Sequence, residues 1–194
     1  MSLPTLVLGS TSRYRAELLR RLYADFEQRA PGTDERPIDG ETPPERALRL
    51  AVAKARAAAA GLEDALVIGS DQVAELDGNV LDKPGTIERA HAQLTASSGR
   101  EVHFHTALCL HDTRNGRELV HVDHTRVYFR SLDNAEIARY IEREQPLDCA
   151  GSFKCEGLGI SLFERIDNED PSALIGLPLI ALARLLRESG IALP

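Results

Sequence analysis

The segment "TPPERALRLAVAKARAAAAG", residues 42–61, constrains the fold of this chain more than any other stretch. It reads as a long helix with both ends specified. Thr42 is the N-cap, Pro43 takes the first helical position, Glu45 completes a capping box and Gly61 suits the stop. "ALVIGS" comes next, an apolar run that predicts a central strand. The chain also opens as strand, tight turn and helix. "TLVLGS" runs into "SRYRAELLRRLY", where Ala16, Leu18, Leu19 and Leu22 recur at helical spacing and Ser12 is placed to cap. Elements in this order predict an α/β chain: a mixed, twisted sheet with flanking helices.

The remaining pattern fits that class. Residues 26–29 suit a short strand. Asp77-Gly78 in "VAELDGNVLDKP" marks a hairpin. Residues 86–97 read as a helix ending at Gly99, and "DNAEIARYIERE" as another, with Asp133 and Glu136 as its capping box. "EVHFHTALCLH" alternates, with Val102, Phe104, Thr106, Leu108 and Leu110 on one face and His103, His105, Cys109 and His111 on the other. "RELVHVDHTRVYFR" returns as a long antiparallel strand, "LGISLFERI" is a late strand, and "LPLIALARLLRESG" closes the chain as a helix between Pro178 and Gly190. No repeat and no linker interrupts residues 1–194, so a single domain is expected.

Composition narrows the function. At 43% hydrophobic residues the chain can build a core, and its net charge of −7 disfavours nucleic-acid polymers and anionic membranes as partners. No apolar run is long enough to span a bilayer, and the first residues carry no signal-peptide pattern. Cys109, Cys149 and Cys155 form no CxxC pair and read as free thiols in a reducing compartment. A soluble, cytoplasmic protein is expected.

Several polar clusters stand out against this background. In "IGSDQV" a strand is expected to finish on Ser70-Asp71-Gln72, and ligands of open α/β sheets gather at such carboxyl ends. "GSTSRYR", residues 9–15, places glycine, three hydroxyls and two arginines at a strand-to-helix turn, a chemistry suited to phosphate although the P-loop spacing is missing. "DER", residues 34–36, lies in a loop too polar for a core. Carboxylates that meet a phosphate site ordinarily do so through a divalent cation. Lys54 sits on a largely apolar helix face, where a lysine by itself is expected to snorkel to solvent. "CAGSFKCEGLGI", residues 149–160, combines three glycines with paired charges at Lys154 and Glu156, and reads as a ligand-contacting loop. His103/His105 and His121/His124 suggest zinc only weakly. No nearby carboxylate or thiol is expected to complete a ligand set, so a solvated polar strand face is the plainer reading. Neither Ser10 nor Ser70 sits in a GxSxG elbow, which argues against a serine triad.

Taken together, "LVLGSTSRYRAELL", "TDE", "AVAKA", "IGSDQV", "LDKPG" and "CAGSFKCEGLGI" resemble the Maf family of nucleotide pyrophosphatases, in order and spacing, over almost the whole chain. "GSFKCEG" and "LFERI", followed by "DP" and "LIGLPLI", resemble the subgroup acting on 7-methyl-GTP rather than the one acting on dTTP and UTP. The resemblance implies two lobes around a central cleft. It implies cleavage of a nucleoside triphosphate between the α and β phosphates, with a divalent metal cation, Mg²⁺ or Mn²⁺. Asp71 matches the proton acceptor. Ser10, Arg15, Glu35, Lys54 and Lys83 match phosphate- and metal-handling positions, with Glu35 and Asp71 as metal ligands. Tyr14, Gln72 and Glu156 match positions linked to base choice. The chain departs from the family pattern at Arg13, where proline is usual, at Tyr14, where tryptophan is usual, and at Cys155, where serine is usual. The resemblance also leaves room for a homodimer, and for a non-catalytic regulator of cell division.

The physics beside the resemblance is electrostatic. Opposite unit charges about 4 Å apart gain roughly 4 kcal/mol at an effective dielectric near 20, so a few converging cations hold a triphosphate on an acidic protein. Asp71 has two roles open to it: accepting a proton from water, or binding the metal. N7-methylation makes guanine cationic, which suits stacking on Tyr14, and Glu156 can accept N–H groups from the guanine edge.

Overall fold

The computed structural model describes residues 3–194. In chain order the elements are β1 (Thr5–Leu8), α1 (Arg13–Arg20), β2 (Glu27–Gln28), α2 (Pro43–Ala59), β3 (Ala65–Leu76), β4 (Asn79–Val80), α3 (Ile87–Ser97), β5 (Glu101–Asp112), β6 (Arg117–Phe129), α4 (Asn134–Glu144), β7 (Phe163–Asp167) and α5 (Leu179–Glu188). The strands hydrogen-bond in the order β2-β1-β3-β5-β6-β7, with β4 paired to β3. β1 is parallel to β2 and β3, whereas β3–β4 and β6–β7 are antiparallel, so the sheet is mixed. Among the described residues no helix is long and apolar enough to cross a membrane.

Helix ends follow the predicted chemistry. Ser12 Oγ accepts from the backbone N–H of Arg15, and Thr42–Glu45 and Asp133–Glu136 form complete capping boxes. Asp77 and Gly78 both have positive φ, 50° and 78°, which is the two-residue turn joining β3 to β4. Pro178 is the N-cap of α5 rather than its first helical residue. Asp170 Oδ2 accepts from the N–H of Ile180 and Ser172 Oγ from that of Leu179, satisfying the exposed donors of that helix start.

The chain forms two compact units, divided within β3 after Asp71, within β5 after His105 and within β6 after Asp123. The first unit holds the described residues up to Asp71, with Thr106–Asp123 and Asp170–Pro194. Strand alternation sorts its core. Leu6, Leu8, Leu66, Ile68, Leu108 and Leu110 pack with Leu18 and Leu19 of α1 and Leu182, Leu185 and Leu186 of α5. Val7, Ala65 and Val67 face the other way, onto Ala58 and Ala59 of α2. The second unit holds Gln72–His105 and His124–Glu169. At its centre Phe153 meets Phe104, Phe129 and Phe163 edge-on, at ring separations of 5.2, 5.7 and 4.7 Å.

Two expectations are corrected here. "LGISLFERI" becomes a strand only from Phe163, after a 3-10 turn over Leu158–Leu162. A Cβ on Gly159 would lie 2.3 Å from the Lys154 carbonyl oxygen, so the chain folds against itself at that point instead of extending. The polar face of β5 is not solvated throughout either, because Cys109 is fully buried and His105 nearly so.

His105 Nδ1 lies 2.8 Å from His124 Nδ1, so one ring donates and the other accepts. His105 Nε2 has no hydrogen bond, but a carboxylate that the sequence pattern does not anticipate, Glu75, stands 3.6 Å from it. Burial pushes the His105 pKa below its ordinary value of 6.5. Glu75 opposes the shift, and His124 and His103 add to it. A depressed folded-state pKa stabilises the fold above the unfolded value and loses that contribution as pH falls through the folded value. The urea midpoint is therefore expected to drop between pH 7 and pH 5, and to drop less in His105→Gln. An identical drop in both proteins would contradict this.

Candidate active site

The geometry starts from strand parity. Ala65, Val67, Gly69 and Asp71 lie on one face of β3, the face that carries α2. The alanines of α2 let it approach closely, and the strands answer with glycine. A Cβ at Gly69 would stand 2.1 Å from the Ala51 carbonyl oxygen, and one at Gly9 would stand 2.8 Å from Ala58 Cβ. Lys54 leaves α2 at this contact. Its ammonium donates to Asp71 Oδ1 at 2.6 Å and pairs with Glu35 Oε1 at 2.7 Å.

Lys54 and Asp71 are 6% and 8% exposed, so the snorkelling expectation for Lys54 is wrong. The side chain turns inward because two carboxylates there satisfy its charge. The expected strand end at Asp71 is also wrong, since β3 continues to Leu76. Val73, Ala74 and Leu76 are buried and keep the chain in the sheet.

The turn between β1 and α1 adds a second set of groups. Ser10 is buried, and its Oγ accepts from the N–H of Ser12 at 3.1 Å. Gln28 Nε2 donates to the Ser10 carbonyl at 2.7 Å and fixes the turn against β2. Arg15 donates from Nε to the Gly176 carbonyl at 2.8 Å, and its terminal nitrogens make no ion pair among the described residues. Burial pushes the Arg15 pKa down, while the charges of Asp71 and Glu35 pull it back up. The guanidinium thus sits in the field of both acids, and no ion pair claims its terminal nitrogens among the described residues.

Ser70, on the opposite face of β3, is fully buried and lies within donating distance of the carbonyls of Ala107 and Gly176, at 2.8 and 3.0 Å. That removes it as a nucleophile. The Gly176 carbonyl, which receives Arg15, is a site element that the sequence pattern does not flag.

The Glu35 loop is held from both sides. Arg36 chelates Asp34, with Arg36 Nη2 to Asp34 Oδ2 at 2.6 Å, which leaves Glu35 to face Lys54. Arg49 of α2 grips Glu41 at 2.5 and 2.7 Å and also donates to the Arg36 carbonyl at 3.3 Å. The sequence pattern gives no signal for Arg49, because its partners lie eight and thirteen residues upstream, outside any helical spacing. Tyr14, half-buried at the start of α1, carries the Arg13 guanidinium over one face of its ring at 4.8 Å and accepts from it at 2.8 Å.

Ser10, Tyr14, Arg15, Glu35, Lys54 and Asp71 all belong to the first unit, and the acids and Lys54 are in direct contact. Gln72, Lys83 and Glu156 belong to the second. Gln72 is half-buried in β3, whereas Lys83 and Glu156 are exposed. The expected pairing of Lys154 with Glu156 is corrected. Lys154 Nζ donates to the Glu144 carbonyl at 2.8 Å and lies 3.9 Å from the Glu144 carboxylate, so it ties the 149–160 loop to the end of α4. The loop glycines do allow close approach, since a Cβ at Gly157 would stand 2.6 Å from Glu144 Oε2. Cys109, Cys149 and Cys155 are free thiols, each pushed up to about 12 chiefly by burial.

Among the described residues no cluster of three or more His, Cys, Asp or Glu side chains is arranged to hold a metal. Glu35 and Asp71 nevertheless converge on a single cationic position, filled by the Lys54 ammonium. Two hard carboxylate donors fit Mg²⁺ or Mn²⁺, which commonly complete their shell with water and substrate phosphates.

A model of the Maf family, described as Maf-like protein, matches residues 5–189. Full-length relatives agree with it. The chain is 59% identical over 192 residues to a 7-methyl-GTP pyrophosphatase of Xanthomonas oryzae pv. oryzae, covering 99% of this chain and 100% of the relative. It is 57% identical over 195 residues to the 7-methyl-GTP pyrophosphatase of Burkholderia thailandensis, covering 99% and 91%. It is 57% identical over 187 residues to that of Burkholderia lata, covering 95% and 89%.

Proposed function

The chain belongs to the Maf family, and from that membership we propose that it is a nucleoside triphosphate pyrophosphatase. It hydrolyses 7-methyl-GTP to 7-methyl-GMP and diphosphate. The observation that carries this reading is the buried Lys54 ammonium bridging the carboxylates of Asp71 and Glu35, with the Arg15 guanidinium in the same field. Three relatives sharing more than half of their residues with this chain are named for that substrate.

The residues divide the work as follows. Arg15, Lys54 and the Ser10 hydroxyl bind phosphate oxygens, and Lys83 is a further phosphate ligand. Glu35 and Asp71, whose carboxylates converge on the Lys54 ammonium, are the residues that would hold a divalent cation. When bound, that cation supplies charge neutralisation and a more acidic water. A water oxygen bonds to one phosphorus flanking the α–β bridge, its proton passes to Asp71, and the bridging P–O bond breaks with its electron pair leaving on oxygen. Tyr14, whose ring already takes a cation in the Arg13 guanidinium, stacks on the cationic methylated base, and Gln72 and Glu156 read the base edge. A reducing, cytoplasmic setting is consistent with the three free thiols.

A panel of 7-methyl-GTP, GTP, dTTP and UTP, assayed for diphosphate release with Mg²⁺, tests the assignment. The highest kcat/KM is expected for 7-methyl-GTP. A preference for the pyrimidine triphosphates would reassign the substrate, and tight nucleotide binding without turnover would favour a regulator.

A further inference from the structure

Lys83 lies between Asp82 and Pro84 in an exposed strap, and its ammonium makes no hydrogen bond or ion pair among the described residues. Its backbone, by contrast, is held on both sides. The Leu81 carbonyl accepts from the N–H of Gly151 at 3.2 Å, and the N–H of Gly85 donates to the Leu147 carbonyl at 3.0 Å. Pro84 restricts the backbone of Lys83 from the other direction. The peptide group joining Asp82 to Lys83 is fixed by a side chain. Gln93 Nε2, from α3, donates to the Asp82 carbonyl at 2.8 Å.

The other end of the same amide is also engaged, since Ser152 Oγ donates to Gln93 Oε1 at 2.5 Å. The orientation of the amide is settled by chemistry. A carbonyl can only accept, so the NH₂ must face Asp82 and the oxygen must face Ser152. Ser152 is fully buried with φ of 61°, a left-handed conformation that costs a serine free energy which glycine would not incur. Its hydroxyl is what a glycine could not supply. Gln93 therefore joins two segments far apart in sequence, the 81–85 strap and the 149–153 loop, and sets the plane from which Lys83 projects.

We infer that Gln93 is a positioning residue for Lys83, acting with Ser152 to fix the backbone from which the lysine reaches phosphate. The inference rests on the pyrophosphatase reading, in which Lys83 contacts polyphosphate. The test is a double-mutant cycle of Gln93→Ala and Lys83→Ala, with kcat/KM for 7-methyl-GTP and thermal midpoints measured for all four proteins. Gln93→Ala should lower kcat/KM about three- to tenfold, the size expected for one neutral hydrogen bond. In the Lys83→Ala background it should lower it less than about twofold.

Gln93→Glu keeps an acceptor toward Ser152 but turns an oxygen toward the Asp82 carbonyl, and should cost at least as much as the alanine. Equal losses from Gln93→Ala in both backgrounds would overturn the positioning role while leaving the phosphate role of Lys83 intact. Unchanged kcat/KM in Lys83→Ala would overturn the phosphate role and the inference with it.

Discussion

Asp71→Asn is expected to lower kcat for 7-methyl-GTP by about a thousandfold, within the roughly 10²–10⁴ range for loss of a positioned general base. The substitution preserves shape and removes the carboxylate proposed as proton acceptor. It does not orphan the buried ammonium, because Lys54 still meets Glu35 Oε1 at 2.7 Å. The variant should therefore fold, and its activity loss should far exceed any fall in thermal midpoint. Diphosphate release from matched protein concentrations measures the effect. A kcat within tenfold of the parent would remove Asp71 from the chemistry.

Gly69→Ala should be the most damaging single-atom change in the first unit. The added Cβ would enter a backbone contact, 2.1 Å from the Ala51 oxygen and 2.5 Å from the Ala55 nitrogen, and neither atom can rotate away. Helix α2 would have to lift from β3 and carry Lys54 away from Asp71. Overpacking of cores commonly costs about 1–3 kcal/mol, and this site should reach at least the upper end. Urea unfolding gives the stability, and kcat/KM for 7-methyl-GTP should fall together with it. A Gly69→Ala protein with parental stability and activity would show that the close packing of α2 does not position the site.

Much of this was legible in the sequence, because local rules wrote it. The capping boxes at Thr42 and Asp133, the Ser12 cap and the Asp77-Gly78 turn depend on neighbours within a few residues, and each forms as its pattern predicts. The misread positions are those whose partners are remote. Ser70 and Asp71 look like a strand end because both are polar, yet each is satisfied inside the unit, Ser70 by carbonyls at residues 107 and 176 and Asp71 by Lys54. Lys54 looks like a snorkelling lysine until Glu35 and Asp71 are placed beside it. Lys154 takes Glu144, ten residues upstream, instead of its near neighbour Glu156. Gln93 carries no signature at all, since one of its partners is a backbone carbonyl and the other lies 59 residues away.

Product identity reports which anhydride is broken. 7-Methyl-GTP incubated with the protein and Mg²⁺ and resolved by phosphorus NMR should give 7-methyl-GMP and diphosphate in equal amounts, with neither formed by Asp71→Asn over the same interval. Formation of 7-methyl-GDP and orthophosphate would place the cleavage at the β–γ anhydride and contradict a pyrophosphatase that cuts between α and β.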